Sequence, residues 1–303
     1  MADDLTFDTS PPAQAEECVR VSPLVRRIVA GNPGPITFTG TCSYIVGREK
    51  VAIIDPGPDL PGHVDALLQA VRGETVTHIL VTHTHKDHSP AAAAIKAATG
   101  AVIVGCAPHH SARPLSSGEV NTLEASSDKD YAPDQELSEG DAVEGLGWTL
   151  EALATPGHMA NHLAFALPEE KALFSGDHVM AWSTTVVAPP DGSMSAFMAS
   201  LDKLRGREET LYWPGHGGPV QEPQRFVRAL IHHRRQREAS ILNRLRAGDR
   251  TIPEIVAAIY QGLNPALVGA AGLSVFAHLE DLVVKGQAAV EGLPALDSEY
   301  HAV

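Results

Sequence analysis

The sequence predicts an α/β layered fold followed by a smaller helical unit. Three observations predict it. Short apolar runs alternate with stretches of helical spacing between residues 24 and 105, giving a β-α-β-α-β order. Four closely spaced apolar runs follow between 141 and 175. From about residue 222 the chain turns into arginine-rich and capped helical segments.

In chain order, residues 1–20 are acidic and rich in Pro and Ala, and are expected to be disordered. Residues 24–29, 42–47 and 51–54 read as strands. Val64, Leu67, Leu68 and Val71 share helical spacing within 61–73, where Gly73 is the stop. The run HILVTH (78–83) is short, apolar and β-rich, hence a buried strand. Ser89 as N-cap, Pro90 at the first helical position and Gly100 as stop frame the next helix. Residues 101–105 form another buried strand. Residues 107–139 are polar and lack periodicity, which reads as a long loop or lid.

Strands are expected at 141–145, 148–154, 162–167 and 171–175, then a helix near 192–206 and a strand at 210–213. The main domain spans 21–221 and a winged-helix-like domain 222–303. Within the latter, a long helix ends at Gly248, and Thr251 with Glu254 makes a capping box. A third helix covers roughly 265–285, and KGQAAVEG reads as a tight hairpin.

A chain of 303 residues with 44% hydrophobic and 20% charged content can bury a core without covalent staples. Its three cysteines include no CxxC pair, which argues against a disulfide framework. The N-terminus has no apolar h-region and nowhere do 18 apolar residues run together, so neither a signal peptide nor a membrane partner is expected. The expected location is cytoplasmic. The net charge of −14 is uneven: residues 1–224 carry 14 Lys and Arg against 29 Asp and Glu, whereas 225–303 carry 9 against 8. An acidic body excludes general coating of nucleic acid. The arginines of 225–250 leave a local anion-attracting face open, although solvated or docked arginines are the commoner outcome.

The chemistry concentrates in VTHTHKDHSP, residues 81–90, with His83, His85, Asp87 and His88. Three further clusters follow apolar runs: TPGHMANH with His158, FSGDH with Asp177 and YWPGHGG with His216. Loops at strand ends converge on ligand sites in α/β folds. Seven imidazole and carboxylate groups match what two divalent ions need, with one carboxylate bridging. Imidazole and carboxylate donors without thiolate suit Zn2+, with Fe or Mn open. His83 and His85 alternate on what reads as a strand extension, which would aim both rings one way. A single loop histidine is ordinarily just solvated; five histidines and two aspartates in strand-end turns are not explained that way.

THTHKDH followed by PGH, SGD and PGHG resembles the metallo-β-lactamase superfamily over about residues 22–220. The resemblance implies a four-layered αββα sandwich. It implies one metal on His83, His85 and His158, another on Asp87, His88 and His216, and Asp177 bridging them. Asp55 in IIDPG matches the family's first motif, an aspartate that supports the ligands from behind. NPGPITFTGTCSYIVG (32–47), STTVV (183–187) and the winged-helix pattern are similar to the β-lactamase-like protein 2 family, some of whose members are endoribonucleases. Two departures stand out: Cys42 and Ser43 replace the usual Asn-Thr, and His178 follows the bridging Asp.

What this implies is a dinuclear hydrolase using a metal-bridging hydroxide, with Asp87 as both ligand and catalytic partner. Single-stranded RNA is the leading substrate. A small-molecule ester, lactone or thioester, as in glyoxalase II, is the alternative, though that enzyme's glutathione-binding basic residues have no match here. A non-catalytic, metal-bound regulator of nucleic acid is a lesser reading. True class B lactamases place Cys or Ser at Asp177, which argues against β-lactams. His162 and Thr184 are candidates to line the substrate pocket, and a homo-oligomer remains open. The pair His109 and His110 reads as solvated loop, and Cys42 as a small buried residue.

Overall fold

The computed structural model describes residues 5–116 and 119–303. Its first sheet runs β1 (Val19–Arg20), β2 (Val25–Val29), β3 (Cys42–Arg48), β4 (Lys50–Ile54), β5 (Thr75–Val81), β6 (Val102–Gly105) and β7 (Gln135–Glu136), in that spatial order. The first four strands pair antiparallel and the remainder parallel. The parallel crossovers are α1 (Pro61–Ala70) and α2 (Ala91–Thr99), as the helical spacing predicts. The second sheet contains β8 (Ala142–Gly145), β9 (Trp148–Ala154), β10 (Leu163–Leu167), β11 (Ala172–Gly176), β12 (Leu211–Pro214) and β13 (Val220–Gln221). Its crossover α3 (Met194–Arg205) joins the parallel pair β11 and β12.

The period-2 geometry of a strand splits the second sheet between two cores. Leu150, Ala152, Phe165, Leu167, Ala172 and Phe174 face the first sheet and join Ile28, Ile45 and Ile53. Leu153, Ala164, Ala166 and Leu173 face outward onto Phe197, Leu201 and Leu204 of α3. Helices cover both outer faces, which gives the four-layered αββα sandwich.

The C-terminal part consists of α4 (Pro223–Ala247), α5 (Ile252–Ile259), α6 (Val268–Val284), β14 (Ala288–Val290) and β15 (Tyr300–Ala302). The capping box is formed: Glu254 Oε2 accepts from the Thr251 amide at 2.9 Å. By length and composition Pro265–Val284 is apolar enough to cross a membrane, but α6 is one wall of a buried cluster with α4 and α5.

Four expectations need correction. Residues 5–20 lie against the body instead of being disordered: the Glu16 amide donates to Val29 O at 2.8 Å, and Arg27 donates to Pro12 O at 2.6 Å. The reason is local, since β2 leaves backbone acceptors open and the buried Arg27 needs one. Ser89 does not cap α2; its hydroxyl donates to Asp128 Oδ2 at 2.6 Å, and Pro90 holds the N-cap position. The tight hairpin after α6 is instead a wing, because β14 pairs with β15 across residues 291–299. Finally, β5 stops at Val81, so His83 and His85 sit in the loop that follows and not on a strand extension, His85 making an isolated bridge to Ser127.

Candidate metal centre

The C-terminal ends of β4, β5, β11 and β12 deliver Asp55, the 82–88 turn, Asp177 and His216 to one place. The turn after β9 brings His158. β5 ends where it does because the Thr82 amide donates to Asp55 Oδ1 at 2.8 Å, leaving the sheet ladder. Two glycines permit the approach. A Cβ on Gly157 would lie 2.3 Å from the Phe197 backbone, and Gly157 has φ +142°. A Cβ on Gly215 would lie 2.3 Å from Asp177 Oδ1, so the residue before His216 must lack one.

All seven predicted donors converge, in two groups. In the first, His85 Nδ1 lies 3.1 Å from His83 Nε2 and 3.0 Å from His158 Nε2. Asp177 Oδ2 lies 3.7 Å from His158 Nε2 and 4.0 Å from His83 Nε2. In the second, Asp87 Oδ2 is 3.3 Å from His88 Nε2 and 3.2 Å from His216 Nε2. The two ring nitrogens are 3.4 Å apart. Asp177 faces both groups, with Oδ1 3.5 Å from His88 Nε2 and Oδ2 3.3 Å from His216 Nε2.

Four of the five rings are held from behind through Nδ1. His88 Nδ1 meets Asp55 Oδ2 at 2.9 Å and His158 Nδ1 meets Val186 O at 2.7 Å. His216 Nδ1 meets Gly40 O at 3.3 Å, and His83 Nδ1 meets Thr82 Oγ1 at 2.9 Å. Thr82 Oγ1 in turn donates to Asp55 Oδ2 at 2.8 Å. With Nδ1 donating, Nε2 of His83 and of His158 carries a lone pair aimed at His85, an arrangement that repels unless a cation sits between. His88 and His216 instead turn Nε2 toward the carboxylates of Asp87 and Asp177. Tetrahedral donors at about 2.0–2.1 Å from Zn2+ lie roughly 3.3–3.4 Å apart, close to the spacings within each group. Asp177 Oδ1 is buried with no hydrogen-bond donor, a carboxylate oxygen left for a metal. The donor set therefore fits two divalent ions.

Electrostatics agree. Burial and the charge of neighbouring His158 push His85 down to about 3. Burial opposes the charge on His216 too, yet the carboxylates of Asp177 and Asp87 push it up to about 10. Three histidines are thus kept as neutral donors, and two lean on carboxylates.

Other expectations fare differently. His162 does not line a pocket; it is 1% exposed behind the centre and its Nε2 accepts from the Asp177 amide at 3.1 Å. Thr184 is half-buried, and Val186 lines the cavity in its stead. His178 is buried against Phe197, ring centroids 4.4 Å apart. Cys42 is buried with its thiol 3.6 Å from Gly217 O. Thr41 was missed: its hydroxyl donates to Asp87 Oδ2 at 3.0 Å, and Asn32 holds Thr41. The GTC segment signalled its neighbourhood but not its role. Ser43, His63 and Glu16 line up at 2.8 and 3.0 Å like a nucleophile with its base. Ser43 is 0% exposed, so this line is a buried strut for the N-terminal segment.

A cavity of about 750 Å³ opens over the donors, bounded by His85, Asp87, His158 and Asp177 on one side. Ile36, Leu123, Val186 and Leu296 line it with Gly269 and Leu273 of α6. Lys86 is the one Lys or Arg among the described residues lining it. The arginine segment is largely engaged elsewhere. Arg234 is buried, Arg237 lies 4.2 Å over the Tyr260 ring, and Arg244 pairs with Asp249 at 2.6 Å.

An αββα sandwich with two facing His/Asp donor groups at the ends of its parallel strands defines a metal-dependent hydrolase. The model of the Metallo-beta-lactamase superfamily matches residues 36–216, and that of the Beta-lactamase associated winged helix domain matches 251–294. The chain belongs to the metallo-β-lactamase superfamily. It is 32% identical to the Beta-lactamase-like protein 2 homolog of Caenorhabditis elegans, over 76% of this chain and 74% of the relative. It is 30% identical to an Atrochrysone carboxyl ACP thioesterase of Aspergillus chevalieri, over 88% and 82%. A beta-lactamase domain protein from Burkholderia ambifaria shares the fold with TM-score 0.75 at 20% identity, covering 99% of this chain and 97% of its own. A metallo-beta-lactamase family protein from Thermus thermophilus does so with TM-score 0.74 at 23% identity, covering 94% and 100%.

Proposed function

We propose that this hydrolase cleaves a thioester or ester whose acyl group is apolar, with Zn2+ on His83, His85 and His158 and on Asp87, His88 and His216. Asp177 spans both positions. The cavity over the donors carries this reading. Its walls are mainly apolar side chains and small residues of α6, with Thr37, Thr122 and Ser126 among them, and Lys86 is the one strong cation among the described residues lining it. Single-stranded RNA, favoured on sequence grounds, brings a phosphate for every nucleotide and asks for several cations around the groove. Of the arginines that were to supply them, Arg234 is buried, Arg237 is stacked and Arg244 is paired, and none of the 225–250 arginines lines the cavity. The thioesterase relative is consistent with an acyl substrate.

Two ions held by these residues would supply an activated water and a positive charge at the oxygen under attack. The chain does the rest. Asp87, held by Thr41, presents a carboxylate at the cavity floor where the attacking water must be oriented. The apolar wall desolvates the acyl chain and fixes the carbonyl over the donors. Lys86, exposed at the rim, faces the anionic part of a leaving group.

The test is a panel of acyl thioesters and p-nitrophenyl esters from acetyl to decanoyl, S-lactoylglutathione, bis(p-nitrophenyl) phosphate and single-stranded RNA, with metal content measured in parallel. Two metal equivalents and the highest kcat/KM on a medium or long acyl chain are expected. RNA cleaved with a higher kcat/KM than every acyl substrate would overturn the substrate class.

A further inference from the structure

We propose that Arg234, on the C-terminal helix α4, is a positioning residue for the metal centre of the main domain. This rests on the metal-site reading above. The route is two residues long. Arg234 donates through Nη2 to the carbonyl of Thr185. The Thr185 hydroxyl donates to the backbone carbonyls of Asp177 at 2.6 Å and of His178 at 3.2 Å. The next carbonyl, Val186 O, accepts from His158 Nδ1 at 2.7 Å. One turn of backbone thus holds the main chain of Asp177, whose carboxylate spans both donor groups, and the ring of one histidine of the first group. Arg234 holds that turn from behind.

A second contact runs to the same place. The Arg234 guanidinium lies 5.1 Å from the Phe197 ring centroid. The Phe197 backbone is the surface against which Gly157, next to His158, is closed. Arg234 is 3% exposed, so it meets no dissolved anion. A buried guanidinium with backbone and ring partners is costly to maintain for fold stability alone, since an apolar residue of similar volume commonly does as well. Its rigid fork suits fixing a carbonyl at a set distance. The C-terminal domain therefore supports the centre as well as walling the cavity.

The experiment is a chelator-competition titration of the Zn2+-loaded full chain, with kcat and KM on a short acyl ester. Arg234→Met keeps the apolar stem and removes the donors. It should release one of two equivalents at about tenfold lower chelator, the low end of what outer partners of a ligand contribute. kcat should fall with KM unchanged. Arg234→Lys should recover most of the affinity, and Arg235→Met, on the exposed side of α4, should match the parent. Thr185→Val cuts the same route at its other end and should give the same release. The double variant should lose no more than either single, because both act through one turn. Arg234→Met retaining both ions like the parent would overturn the proposal. Where Arg234→Met does not fold, wild-type retention by Thr185→Val overturns it instead. A parent chain that binds no metal overturns the metal-site reading, not this step.

Discussion

At the scale of single residues, Asp55 shows how the centre is supported. Its backbone sits at φ +47°, a left-handed conformation that Asp and Asn tolerate better than other side chains. Its two oxygens accept three bonds, from the Thr82 amide, the Thr82 hydroxyl and His88 Nδ1. Asp55→Asn keeps the backbone preference but replaces one acceptor by a donor. The protein should fold, with metal affinity reduced by about 10–100-fold. Chelator competition measures it, and unchanged affinity counts against the supporting role. The ligands themselves were legible because four of them crowd into six positions and three recur in glycine turns. Thr41 was not, since it meets Asp87 across 46 residues. His162 misled for a related reason: four residues after His158 looks like a shared face, but β10 begins at Leu163 and turns the ring behind Asp177.

At the scale of elements, alternation and caps made β2 to β6, β8 to β12, α3 to α6 and the two crossover helices legible from local sequence, whereas β1, β7, β13 and the β14–β15 pairing were not. Contacts between distant segments were not. The strap of residues 5–20 is polar by composition, and its partners are distant in sequence: the edge of β2, His63 through Glu16 and Ala181 O through the Asp8 amide. In α4 the arginines looked like an exposed basic face, yet the helix buries Arg234 with Val227, Leu230 and Ile231. Beside it, burial and then the Arg234 charge hold His278 of α6 well below its usual value, and burial brings His233 to about 4. Both are neutral in the folded chain, whereas the unfolded chain takes up protons near pH 6.5. Their contribution to stability is therefore whole above about pH 6.5 and is lost as pH falls from there toward about 4. His278→Leu removes one such site. The midpoint of thermal unfolding should drop less from pH 7.5 to 5 in His278→Leu than in the parent. Parallel drops would show that His278 does not contribute to acid sensitivity.

At the scale of the whole molecule, the cavity belongs to neither half alone, because its floor is the sandwich and part of its wall is α6. Nitrocefin turnover is expected to be negligible beside that of an acyl ester, since the sequence resemblance implies that Asp177 stands where class B lactamases carry Cys or Ser. Rapid nitrocefin hydrolysis would contradict that. The wall gives the sharper prediction. Gly269 lines the cavity and a Cβ there meets nothing within 4 Å, so a larger side chain fits the helix and projects into open space. A phenylalanine ring at this point takes room that the far end of an acyl chain would use. Each methylene kept out of an apolar site forfeits about 0.8 kcal/mol, so two of them make a loss of about fifteenfold in kcat/KM. Gly269→Phe should therefore leave acetyl ester hydrolysis and metal content at the parent's level while decanoyl ester hydrolysis falls by at least tenfold. Equal losses on acetyl and decanoyl esters would mean that the ring disturbs the centre itself, and no loss on either would place the acyl chain away from α6.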